Sequence, residues 1–293
     1  MNLCFGYMPI IERIEVLATI EKTEEEQLSD NVEKNIADIK NKFIVISGKG
    51  GVGKTTVSVS LACALALRNY KVGLLDVDIH GPNVIKMLGM ENKPLTGDGI
   101  RLNPLEVFEN LKVISTASII VDQDTPIIWR GPLKMKLIKQ FLGDVNWGTL
   151  DYLIIDSPPG TGDEPLSVIQ LITDIDGAII VTTPQEVALL DARKSIQFTK
   201  KLKVPFIGLV ENMSGLICPY CNKKIDLFGT GRVKKTAKEM NVNFLGEIPM
   251  DTEIIKLCDR GKILEAVKSN SAAASSMAKI TDSIIEYSQN KNF

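Results

Sequence analysis

From Phe43 onward the chain alternates short, almost wholly apolar runs with longer stretches whose apolar residues recur every three or four positions. Apolar runs without polar alternation suit strands buried on both faces, as in parallel sheets. Seven such runs predict strands over Phe43–Ser47, Val72–Asp76, Leu111–Ser115, Tyr152–Asp156, Gly177–Thr182, Phe206–Val210 and Asn243–Ile248. Helical stretches fill 54–69, 132–142, 164–173, 186–201, 230–240 and 251–258. A last helix, over 270–288, follows the small-residue patch Ser269–Ser276. This alternation implies an α/β fold: a doubly wound, mostly parallel sheet with right-handed crossovers. Ligands of such sheets sit at the carboxyl ends of the strands.

Residues 1–42 differ. They carry nine acidic and five basic residues. Glu21–Asp30 is polar and expected to be mobile, whereas Val32, Ile36 and Ile39 follow helical spacing and predict a short helix leading into the core. We read 1–42 as an N-terminal extension and 43–293 as one domain. The chain of 293 residues is 44% hydrophobic and 24% charged, a globular balance. Its net charge of −2 lacks the basic excess of a nucleic-acid binder, so no nucleic acid is expected as partner. No apolar run is long enough to span a membrane. Glu12, Arg13 and Glu15 interrupt the apolar start, so no secretory signal is read and a cytoplasmic location is expected. Thiols stay reduced there, and five cysteines, an odd number, do not suggest a disulfide framework.

The strongest motif is Gly48-Lys49-Gly50-Gly51-Val52-Gly53-Lys54-Thr55-Thr56. It contains G-x-x-x-x-G-K-[ST], follows an apolar strand and opens a helix, the context a phosphate-binding loop requires. Its glycines let backbone N–H groups turn inward around phosphate oxygens. Lys54 is expected on the β- and γ-phosphates and Thr55 on magnesium, making ATP and Mg2+ the expected ligands. Two further strand ends carry carboxylates. Asp76 and Asp78, in Asp76-Val77-Asp78-Ile79-His80-Gly81-Pro82-Asn83, can bind magnesium or orient water. Asp156 ends the strand before Ser157-Pro158-Pro159-Gly160-Thr161-Gly162-Asp163 and is placed to hold magnesium through water, with the Pro-Pro-Gly-Thr-Gly stretch as a switch loop. Asp163 and Glu164 are expected to cap the following helix. The lone histidine, His80, reads as structural.

Asn212 lies just past the strand Phe206–Val210, and its amide offers a donor and an acceptor to an adenine edge. Beyond it, in a loop at 214–224, Cys218-Pro219-Tyr220-Cys221 places two thiols on one knuckle. Two thiolates cannot complete a tetrahedral zinc site or a four-iron four-sulfur cluster. The remaining ligands must come from another pair in the chain or from a second subunit. Cys4, Cys63 and Cys258 are solitary, and Cys63 reads as core packing.

With its early lysine, G-K-G-G-V-G-K-T-T is similar to the deviant P-loop of the MinD and nitrogenase iron protein class, the SIMIBI-type NTPases. The wider set is D-V-D-I-H-G-P-N at 76–83, W-R-G-P at 129–132, D-S-P-P-G-T-G-D at 156–163, E-N-M-S at 211–214 and C-P-Y-C at 218–221. Over roughly residues 40–265 it resembles the Mrp/ApbC family of iron–sulfur cluster carrier ATPases. The resemblance implies a homodimer in which Lys49 reaches the partner's active site. It implies that Asp78 orients or deprotonates the attacking water while Asp76 supports the metal site. It also implies that Asn212 contacts adenine and that the loop Ile248-Pro249-Met250-Asp251, through Pro249, closes over the base. The two Cys218/Cys221 pairs would bridge a labile four-iron four-sulfur cluster, with zinc as the other metal four thiolates suit, and pass the cluster to client apoproteins. The alternatives are a MinD-like positioning ATPase on a membrane surface and a nucleotide-dependent reductase. The first wants a basic amphipathic C-terminal helix; the second wants cluster cysteines far apart in sequence.

Overall fold

The computed structural model describes residues 27–291 except 80, 92, 99–100, 119–130, 173, 219–220, 222 and 230. Cys4, His80 and the Trp129-Arg130 part of one motif lie outside the described residues. Helix α1 covers 27–37. There follow β1 (Ile39–Ile46), α2 (Lys54–Ala66), β2 (Val72–Asp76), α3 (Val84–Met87), β3 (Thr96–Gly97), β4 (Leu102–Asn103), β5 (Leu105–Phe108) and β6 (Leu111–Ser115). The second half holds α4 (Gly131–Gly143), β7 (Leu150–Asp156), α5 (Asp163–Leu171), β8 (Gly177–Thr182), α6 (Glu186–Lys201), β9 (Phe206–Ile217), β10 (Lys224–Ile225) and α7 (Arg232–Glu239). It closes with β11 (Asn243–Met250), α8 (Thr252–Asp259), α9 (Ile263–Lys268) and α10 (Ala272–Asn290).

Nine strands form one sheet in the order β10-β9-β8-β1-β7-β2-β6-β5, with β11 also on β9. Every pairing among β1, β2, β6, β7, β8, β9 and β11 is parallel; β5 and β10 add antiparallel edges. Side chains alternate between faces along a strand, and the core divides accordingly. Ile44, Ile46, Leu153 and Ile155 join one apolar cluster with α1, α4, α5, α6 and α7 residues. Phe43, Val45, Tyr152 and Ile154 join the other, under α2, α3, α8, α9 and α10. Helices thus cover both faces, which is why the strands read as continuous apolar runs. Trp147 is fully buried, its indole N–H donating to Phe141 O at 3.0 Å.

Helix α1 packs Val32 and Ile36 into the core, and β1 starts at Ile39, four residues before the boundary read from sequence. Helix α10 buries Met277, Ile280 and Ile284. Among the described residues no helix is long and apolar enough to cross a membrane.

Candidate nucleotide site and cysteine hairpin

The loop between β1 and α2 turns on glycines for steric reasons. Gly51 and Gly53 have φ of 78° and 82°, the left-handed region that suits glycine. A Cβ on Gly53 would stand 2.2 Å from Asn212 Nδ2, and one on Gly48 would stand 2.4 Å from the backbone of Asp191. The loop is therefore clamped between β9 and α6. Asn212 Nδ2 donates to Val52 O at 2.8 Å, so its amide anchors the phosphate loop. Ser47 Oγ donates to Lys49 O at 2.9 Å, and Gly160 N donates to Ser47 O at 2.7 Å, joining the loop to the 157–162 segment.

Parallel register brings the carboxylates together. Asp76 lies opposite Asp156 on neighbouring strands. Lys54 Nζ and Ser58 Oγ donate to Asp156 Oδ1 at 2.8 and 2.6 Å, and Thr55 Oγ1 donates to Asp156 Oδ2 at 2.8 Å. Lys54 Nζ is also 3.7 Å from Asp78 Oδ2. Asp76 accepts from Ser115 Oγ at 2.7 Å and from Asp78 N at 3.0 Å. Burial, with Asp156 beside it, pushes the Asp76 carboxyl up to about 8. A hydroxyl and a carboxylate in contact at the end of a parallel sheet, beside a lysine, are the donor set Mg2+ takes with phosphates; Thr55 and Asp156 fit that ion.

Lys49 is directed elsewhere. Its Nζ reaches Gln185 Oε1 at 3.4 Å, on the rim where α6 begins. Val187 and Leu190, just beyond Gln185 on α6, are 67% and 58% exposed. Glu164 lies in the first turn of the helix it was expected to cap. Helix α5 starts at Asp163 after Gly162, which offers no side chain, and Glu164 pairs with Lys134 at 2.7 Å.

A cavity of about 120 Å³ adjoins the loop, lined by Gly53, Thr56, Asn212, Pro249, Met250 and Met277 among others. Its walls are mostly apolar, with one amide at the edge, as a flat heteroaromatic ring requires. Ile248, Pro249 and Met250, read from sequence as a loop, end strand β11, and Asp251 caps α8 by accepting from Glu253 N and Ile254 N at 2.9 and 3.3 Å.

Strand β9 runs seven residues past the expected end, through two backbone kinks. Met213 has φ of 57° and Gly215 φ of 107°. A Cβ on Gly215 would meet Ile225 O at 2.9 Å, which lets β10 fold back closely. Cys218 N donates to Lys223 O at 3.0 Å, closing a hairpin whose turn carries the two cysteines. Cys218 is half-buried and Cys221 exposed. Cys63 and Cys258 are buried, and burial pushes their thiols up to about 12 and about 11. Among the described residues no group of three or more His, Cys, Asp or Glu side chains gathers as a metal site.

Sequence reasoning missed Ser58, Ser115, Gln185 and Asp191. Ser58 carried a signal: a hydroxyl four positions, about one helical turn, after Lys54.

Residues 38–285 match the family profile described as ParA, NUBPL iron-transfer P-loop NTPase. The chain belongs to that family of P-loop NTPases. An iron-sulfur cluster carrier protein of Methanocaldococcus jannaschii is 50% identical over 266 residues, 90% of this chain and 91% of the relative. One of Saccharolobus solfataricus is 47% identical over 255 residues, 87% and 86% of the two chains. Among solved structures, an ADP-bound nucleotide-binding protein of Archaeoglobus fulgidus superposes with a TM-score of 0.72 at 37% identity, over 81% of this chain and 93% of that one. The cell division ATPase MinD of Pyrococcus furiosus gives 0.61 at 25%, over 84% and 99%. The expected doubly wound P-loop fold and family are thereby established, and the protein is an ATPase by class.

Proposed function

We propose that the protein is a homodimeric, ATP-hydrolysing carrier that holds one four-iron four-sulfur cluster between two Cys218/Cys221 pairs and passes it to apo iron–sulfur proteins in the cytoplasm. The observation that carries this reading is the exposed two-thiol hairpin at the end of β9, the strand whose Asn212 is hydrogen-bonded to the phosphate loop. Two thiolates per chain leave half a ligand set, which a second copy supplies. The naming of half-identical relatives as iron-sulfur cluster carrier proteins supports the cargo.

In this reading Gly48–Thr56 cradle the phosphates through backbone N–H groups, and Lys54 turns from Asp156 and Asp78 toward them. Thr55 and Asp156 would hold Mg2+, which neutralises phosphate charge. Asp78, set beside Lys54, orients the attacking water, while buried Asp76 braces the Asp78 backbone. Asn212 and Pro249 border the adenine. Lys49, directed to the rim, completes the partner's site, and exposed Val187 and Leu190 beside it meet the second copy. A membrane-positioning ATPase is disfavoured because α10 spends its apolar face on the core.

Anaerobic reconstitution tests the cargo. About four iron and four sulfide per dimer are expected, lost in Cys218→Ala or Cys221→Ala while ATP binding persists. Uptake of zinc without iron or sulfide refutes the cluster. Mixing Lys49→Ala with Asp78→Asn subunits tests the dimer. Action of Lys49 across the interface leaves each mixed dimer one intact site, so about a quarter of wild-type hydrolysis returns on random exchange. Action within its own subunit leaves none.

A further inference from the structure

We propose that the basic surface beside the cysteine hairpin, formed by Lys223 and Lys224 on the hairpin and Lys234, Lys235 and Lys238 on α7, docks an acidic face of the recipient apoprotein. The proposal rests on the carrier reading above. Residues 223–239 contain six basic and two acidic side chains, in a chain of net charge −2. All six basic residues are exposed. One of the two acids is already used: Glu239 pairs with Arg193 and lies 3.8 Å from Lys235. Lys223, Lys234 and Lys238 make no ion pair among the described residues.

The charges form one surface. Lys224 Nζ reaches Glu247 Oε1 on β11 at 3.4 Å. Glu247 in turn borders a hollow shared with Glu211, Lys234 of α7 and Lys279 of α10. Glu247 of β11 thus stands between Lys224 of the hairpin and Lys234 at the start of α7. Ile225, on the outer strand, and Leu227, just after it, are 43% and 45% exposed.

Charge complementarity selects the occupant. Cluster transfer requires the recipient's thiolates to reach Cys218 and Cys221, so the recipient must cover the surface around them. Exposed cations next in sequence to exposed apolar side chains attract an acidic partner, speed its approach and fix its register. Ile225 and Leu227 supply the desolvated centre such an interface needs.

The test measures binding of a fluorescently labelled acidic apo-ferredoxin, and of an apo-acceptor with a basic surface, to the cluster-free carrier. Lys234→Glu/Lys235→Glu/Lys238→Glu should weaken ferredoxin binding about tenfold or more at low salt. Wild-type binding should fall as salt rises from about 50 to 300 mM, and the variant's should change little. The matching triple Gln variant should lie between the two, with ATP hydrolysis and melting temperature unchanged in both. Equal binding by wild type and Glu variant overturns the proposal, as does equal loss toward both acceptors. Tighter binding of a short DNA duplex than of the ferredoxin assigns the surface to nucleic acid instead. Conversion of the variants to monomers assigns it to the second copy. Because binding is read without a cluster, failed reconstitution sinks the carrier reading alone and leaves this result standing.

Discussion

The phosphate loop and the cysteine hairpin sit on one strand's reach yet are built in opposite ways. At the loop, Lys54, Thr55 and Ser58 converge on one fully buried carboxylate, and neighbouring strands and helices leave no room for a Cβ at Gly48 or Gly53. At the hairpin, a two-residue strand holds a turn whose second cysteine is exposed. Stabilising a transition state needs groups fixed before the substrate arrives. Handing over a metal cluster needs ligands that another protein can reach. Under the proposed function, the difference in burial is a difference in task.

Breaking the loop should show the largest effect. Lys54→Ala should lower ATP hydrolysis about a thousandfold, roughly 4 kcal/mol of transition-state stabilisation. It should also cost about 3 kcal/mol of stability, because Asp156 stays buried without its cation. Single-turnover assays and urea melts read the two effects; wild-type turnover would remove Lys54 from the site.

The seam between the regions should show an intermediate effect. Burial, with Glu247 nearby, pushes the Glu211 carboxyl up to about 7. Folded protein then holds a proton that unfolded chain releases above its ordinary carboxylate range. Stability is full below that range, falls as pH rises through about 7, and levels off above it, by roughly 1–3 kcal/mol. Glu211→Gln should abolish that slope and leave the protein more stable than wild type at pH 8. Urea melts at pH 5 and pH 8 decide, and equal slopes in both proteins would contradict the assignment.

The hairpin should show the smallest effect on the fold. Cys218→Ala and Cys221→Ala should change stability by no more than about 0.5 kcal/mol, measured by thermal melts of cluster-free protein. A loss of several kcal/mol would mean the hairpin is part of the core and would erase the contrast.

The same contrast explains what the sequence disclosed. The buried parallel strands were legible because burial on both faces makes them apolar throughout. Strand β9 was read as ending at Val210 because Glu211, Asn212, Ser214 and Gly215 break the pattern. Pairing with β11, Ile248 on Asn212 and Met250 on Leu216, carries the strand through them. The short elements α3, β3, β4, β10 and α9 give too few residues for a period. Within the site, Lys54, Thr55 and the carboxylates were legible because motif residues are local and strand ends are chemically distinctive. Ser115 on Asp76, Gln185 beside Lys49 and Asp191 against Gly48 were not. Each acts across a strand or helix boundary that only the folded topology creates. Glu164 was legible at the start of α5, but its pairing with Lys134, 30 residues earlier, was not.

Sheet order has a consequence for synthesis. Strand β1, the first among the described residues, lies between β8 and β7, and both of its neighbours leave the ribosome more than a hundred residues later. Asp156 and Asn212, which secure the phosphate loop, emerge later still than Lys54. A nascent chain stopped before Leu150 has an orphan central strand and a nucleotide loop with nothing to close against it. Its apolar edges stay open to chaperones or to aggregation. Competence for ATP therefore arrives late and all at once, when the second half of the sheet closes around the first.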